Sequence, residues 1–136
     1  MNRVLAFVLL TFSAIALAQA PQLKKWSTVY IEPMGGYETY LAAALAKKQA
    51  PLVLVTDKVK ADYIITINQQ VPAQPFAVLN QNPWAVATTM SISVIDVRSS
   101  QIVFAYAVSR HGNDRTQSAA ESCAKHLKDF IENPGK

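Results

Sequence analysis

Residues 84–110, WAVATTMSISVIDVRSSQIVFAYAVSR, decide the fold. Over 84–97, Val86, Thr88, Met90, Ile92 and Val94 alternate with Ala87, Thr89, Ser91, Ser93 and Ile95. A period of two sends successive side chains to opposite faces of a strand. Residues 96–101 carry turn chemistry, and 102–110 return with Ile102, Phe104, Tyr106 and Val108 on one face. Two alternating runs joined by a short polar segment make a β-hairpin. One face is apolar and the other carries hydroxyl and small side chains, so the sheet needs a cover on one side only.

The next segment supplies part of that cover. Residues 114–133 read as a helix whose stripe is Ala119, Ala120, Cys123, Leu127, Phe130 and Ile131. Asp114, with Gln117 three residues on, resembles a capping box, and Glu121 with Lys125 is a favourable i, i+4 pair. Before the hairpin, 62–71 alternates Tyr63, Ile65, Ile67 and Gln69 with Ile64, Thr66, Asn68 and Gln70, a further strand. Residues 52–56, LVLVT, form a continuous branched run, the pattern of a strand covered on both faces.

Residues 27–32, STVYIE, start the domain as a strand, broken by Pro33-Met34-Gly35-Gly36. Over 37–49 the period becomes helical, with Tyr40, Leu41, Ala44, Leu45 and Lys48 on one face. Glu38 in the first turn and Lys47-Lys48 in the last suit the helix dipole. Ala50-Pro51 ends the helix, because a residue before proline disfavours helical backbone. The order is β-α-β-β-β-β-α. It predicts an α/β (α+β) two-layer sandwich: a mostly antiparallel mixed sheet with two helices on one face.

Residues 1–18, MNRVLAFVLLTFSAIALA, read as a cleavable signal peptide: Arg3, an apolar stretch, and Ala16-Leu17-Ala18 as the small-x-small site. The stretch holds about 15 apolar residues, short of the roughly 20 that span a bilayer. Residues 19–26 then form a short leader, and 27–133 a single α/β domain. The residue after Ala18 is Gln19 rather than an acylatable cysteine. The expected location is therefore periplasmic or secreted, with no lipid anchor and no stable membrane insertion after cleavage. The net charge of +4 falls by one when Arg3 leaves. Its basic residues are scattered in pairs and singles, which excludes the clustered footprint of a nucleic-acid binder. The one cysteine, Cys123, excludes an internal disulfide.

No catalytic constellation emerges, and no cofactor or metal site is expected. His111 and His126 are the only histidines, and no HxH, HExxH or CxxC occurs. Cys123 and His126 stand at i, i+3, but Cys123 falls on the apolar stripe, as a small core residue does. Glu32, Asp57 and Asp62 each border an element, as capping or solvated carboxylates do. Met34-Gly35-Gly36 before a helix offers backbone N–H groups to an anion, or simply turns the chain. Two candidate regions remain. Residues 109–115, SRHGNDR, gather Arg110, His111 and Arg115 at a strand-to-helix junction as a possible ligand cluster. The proline-stiffened loop 72–83, with flanking Trp84, sets Phe76 and Leu79 among polar residues as a partner-contact surface.

The stretches VYIEPMGGYETYLAAAL, LVLVTDKVKADYIITINQQV and SISVIDVRSSQIVFAYAV together resemble one group of bacterial envelope modules. It is the small α/β domain of the curli secretion protein, the lipoprotein activators of peptidoglycan synthases, and the N-terminal part of the Tol-system β-propeller protein. The resemblance spans about residues 27–131 and implies a non-catalytic binding or assembly module. It transfers no individual functional residue. The expected function is an exported accessory module that binds envelope protein. The alternatives are a small hydrolase or ligand-binding protein using Arg110, His111 and Arg115, and an adhesive surface protein.

Overall fold

The structure, a computed structural model, describes residues 22–70 and 87–135. Phe76, Leu79 and Trp84, and the segment read as a signal, lie outside the described residues. The elements are β1 (Thr28–Ile31), α1 (Tyr37–Lys47), β2 (Val53–Leu54), a 3-10 turn (Lys58–Lys60), β3 (Tyr63–Gln70), β4 (Ala87–Asp96), β5 (Ile102–His111) and α2 (Arg115–Glu132). One five-stranded sheet has the order β2-β1-β3-β4-β5. β1 runs parallel to β2 and β3, while β4 pairs antiparallel with β3 on one side and β5 on the other. The sheet is mixed, and the element order is the one the sequence predicts.

Alternation becomes burial across the sheet. Tyr63, Ile65 and Ile67 on β3 and Met90, Ile92 and Val94 on β4 are buried, and the residues between them are half-buried or exposed. The buried face meets Leu41, Ala44 and Leu45 of α1 and Ala119, Ala120, Cys123, Ala124, Leu127 and Ile131 of α2. Three alanines and a cysteine on α2 let the helix lie close to both the sheet and α1, while the larger Leu and Ile fill the remaining depth. Each fully buried Leu, Ile or Met stabilises the fold by about 1.5–3 kcal/mol. Lys47 donates to the Glu121 carboxylate at 2.7 Å, and Lys128 Nζ donates to the Lys48 carbonyl at 3.0 Å, joining the helices at their rim.

Several local expectations change. The 52–56 run forms only a two-residue edge strand, with Val53 and Leu54 43% and 41% exposed rather than covered on both faces. Among the described residues its neighbour is β1, which has four residues, so few ladder groups are available to extend it. Asp114 makes no side-chain cap bond, and Gln117 donates instead to Glu121 at 3.2 Å. Asp114 sits at φ −97°, ψ 27°, away from the extended geometry that aims an N-cap oxygen at the helix amides. Glu121 pairs with Lys47 and Lys48 across the helix contact. Tyr40 is exposed beside that contact.

Residues 22–26 are tied to the body. Leu23 is buried in the core, the Tyr63 hydroxyl donates to the Gln22 carbonyl at 3.0 Å, and the Trp26 amide donates to the Pro51 carbonyl at 2.7 Å.

Candidate functional site

The SRHGNDR junction is where β5 hands over to α2. Strand alternation divides its side chains between two faces. Arg110 lies opposite Thr88, a buried residue, on the helix side of the sheet. Its Nη2 donates to Ser122 Oγ on α2 at 3.0 Å. His111, one residue on, belongs to the open face and is exposed. Arg115, in the first turn of α2, reaches back: Nε donates to Thr88 Oγ1 at 2.8 Å and Nη1 to the Gly112 carbonyl at 3.3 Å. Gly112 is itself buried at φ 97°, the left-handed backbone that favours glycine in this turn. The two arginines thus link α2, the turn and β4.

The rest of that seam is aromatic. Tyr106 stacks on His126 with ring centroids 4.1 Å apart, and Phe104 meets Phe130 at 5.1 Å. The Tyr106 and Ser122 hydroxyls share a bond of 3.4 Å. Cys123 is fully buried, and burial pushes its thiol up to about 11 despite the opposing charge of Arg110. A thiol so raised holds negligible thiolate near neutral pH, so it is a poor nucleophile and a poor metal ligand. Among the described residues no three of His, Cys, Asp and Glu gather as a metal site.

The other carboxylates named by the sequence serve their own elements. Glu38 accepts the Met34 and Gly36 amides at 2.8 and 3.0 Å, and these bonds hold its pKa below the ordinary range. Two of the turn's three amide donors are therefore engaged by the chain's own anion. Gly36 adopts φ 97° to present its amide there. Asp62 accepts the Thr28 hydroxyl at 2.8 Å, which lowers its pKa. Asp57 caps the 3-10 turn through the Val59 amide at 3.0 Å, and Glu32 accepts from Lys58 at 2.6 Å. That bond raises the Lys58 pKa.

Three shallow grooves mark the described surface. One of about 320 Å³ lies between the helices at Tyr40, Ala44, Lys47, Gln117 and Glu121. Another, about 420 Å³, runs between β5 and α2 along Phe104, Tyr106, His126, Asp129, Phe130 and Asn133. A third, about 380 Å³, flanks α1 near Tyr30, Glu38 and Leu54. None of the three is lined by Arg110, His111 or Arg115.

The register places the end of β3 and the start of β4 at the end of the sheet that holds the junction. Gln70 ends β3 opposite Thr89, and Ala87 opens β4 opposite His111. The described residues that flank the 71–86 segment, Gln70 and Ala87, thus stand at the same sheet end as the Arg110–Arg115 junction. Sequence reasoning missed Thr88 and Ser122 as acceptors for the arginines. The available signal was a threonine standing in the apolar row of β4.

No protein-family model matches the chain, and no curated protein matches it in sequence. Solved structures do match. TolB from Acinetobacter baumannii aligns with 84% of this chain at 11% identity and a TM-score of 0.55, over 30% of its own length. A PDZ domain protein from Parabacteroides distasonis aligns with 82% of this chain at 10% identity and a TM-score of 0.55, over 32% of its length. The chain thus spans about a third of each. The PelC dodecamer from Paraburkholderia phytofirmans aligns more loosely, with 17% identity and a TM-score of 0.48, over 82% of this chain and 92% of that one. The chain carries an α/β fold that it shares with part of TolB.

Proposed function

We propose that this chain is an exported, non-catalytic module of the bacterial envelope that works by binding a protein partner. The reading rests most on one observation: at the junction of β5 and α2, the arginines bind the protein itself. Arg110 serves Ser122 and Arg115 serves Thr88 and Gly112. The apolar residues of the segment that connects β3 to β4, Phe76, Leu79 and Trp84, are then the proposed contact groups. Prolines in that loop restrict the free chain and lower the entropy cost of ordering it on a partner. No described helix is long and apolar enough to cross a membrane.

The test is photo-crosslinking in living cells from positions 76 and 79, with position 58 on the 3-10 turn as control. The proposal expects one discrete protein adduct from 76 and 79 and none from 58. Equal adducts from all three, or none, would overturn it. Intact-mass measurement of the exported form checks the address: the chain should begin near Gln19 and carry no acyl group.

A further inference from the structure

We infer that the outer edge of β5 is a self-association surface that pairs with β5 of a second copy, antiparallel about a two-fold axis at Tyr106. β5 has ten residues, and among the described residues no strand lies beyond it. An outer strand leaves a row of backbone N–H and C=O groups unpaired, and proteins ordinarily blunt such edges with lysine, proline, bulges or brevity. β5 contains no lysine and no proline, and its one register shift lies at the hairpin end, beside Val94 and Ile95. The opposite edge, β2, is blunted by its two-residue length. That asymmetry selects the occupant. Head-to-tail addition would match ten residues against two, so the complementary edge for β5 in this protein is β5 itself.

Side-chain chemistry sets the register. With Tyr106 opposite Tyr106 of the second copy, Phe104 faces Val108 and Ala105 faces Ala107, and no two like charges oppose each other. A shift of one pair toward His111 would set Arg110 against Phe104. A shift the other way shortens the ladder. Because α2 packs on both β4 and β5, a two-fold at the strand edge puts the two α2 axes about 10 Å apart, given strand spacings near 4.8 Å. Packed helices lie about 8–10 Å apart, so the groove along Phe104, Tyr106, His126 and Phe130 closes in the same step. A contact one strand long and two layers deep covers roughly 600 Å² per copy. Both copies together reach about 1,200 Å², the lower bound for a specific interface.

Analytical ultracentrifugation of the exported protein across a dilution series tests this. The wild type should sediment as a dimer. Ala105→Lys with Ala107→Lys places lysine against lysine in both cross-strand pairs and should halve the mass. Ala105→Lys with Ala107→Glu sets a lysine against a glutamate in both of those pairs and should restore the dimer. Should the double-lysine variant lose its circular dichroism, mixed Ala105→Cys and Ala107→Cys chains supply the answer: the heterodisulfide should form in preference to either homodisulfide. A monomeric wild type would overturn the inference and leave the edge to another protein's strand. A closed ring, or a dimer indifferent to both charge patterns, would overturn it equally.

Discussion

The two edges of this sheet are built from apolar sequence and end up unlike each other. β2 comes from the unbroken LVLVT run and contributes two half-exposed residues. β5 comes from an alternating run and spans ten residues, paired with β4 along its length save for one register shift at the hairpin end, between Val94 and Ile95. Strand length follows the neighbour more than the apolar count: β1 offers four residues, β4 offers ten. The lesson is that pairing capacity accumulates on the hairpin side, where the sheet is antiparallel and α2 covers it.

The largest effect that would break this contrast lies in the core. Ile92→Ala on β4 removes a fully buried side chain beneath α2 and should cost about 2–5 kcal/mol. Leu54→Ala on β2 should cost about 1 kcal/mol or less, because much of that side chain is already solvated. Urea titrations of the two variants compare them directly. Equal losses would mean that β2 is as integral as the hairpin.

A smaller effect concerns the α2 seam. Cys123→Ala should cost about 1 kcal/mol through lost packing. The native thiol should resist alkylation at neutral pH until the protein is denatured, since burial holds its pKa at about 11. Rapid labelling of the native state would show the α2 side to be looser than the β2 side.

The smallest effect is electrostatic and sits on the β1 side. The Thr28 hydroxyl holds the Asp62 pKa below its ordinary 3.8. A lowered carboxylate stabilises the fold fully above the unfolded value and loses that contribution as pH falls through the folded value. Thr28→Val should therefore lower the thermal midpoint slightly at pH 7, and the gap from wild type should shrink below pH 3.8. A gap constant down to pH 2 would assign the loss to packing instead.

The hairpin and α2 were legible because periodicity and burial coincide there. Met90, Ile92 and Val94, like Cys123 and Leu127, are buried where the pattern puts them. β2 was not, because an apolar run reports burial tendency while its pairing depends on a strand 25 residues earlier in the chain. The cap at Asp114 failed for a local reason: the backbone there never takes the extended N-cap conformation. The roles of Arg110 and Arg115 were hidden because their acceptors, Ser122 and Thr88, stand 12 and 27 residues away. A charged cluster in sequence became two separate ties in space.

Thermal midpoints separate the arginine from the loop: those of Arg115→Ala and of Phe76→Ser with Leu79→Ser. Arg115→Ala leaves the buried Thr88 hydroxyl without its partner, a loss of about 1–3 kcal/mol. The midpoint should fall by several degrees and recover in part with Thr88→Val, which removes the orphaned hydroxyl. The loop variant should keep its midpoint within a degree or so while losing its partner, as surface substitutions that touch no core do. An unchanged midpoint for Arg115→Ala, with a fall of several degrees for the loop variant, would contradict the account. The arginine would then be available to a ligand, and Phe76 and Leu79 would belong to the core.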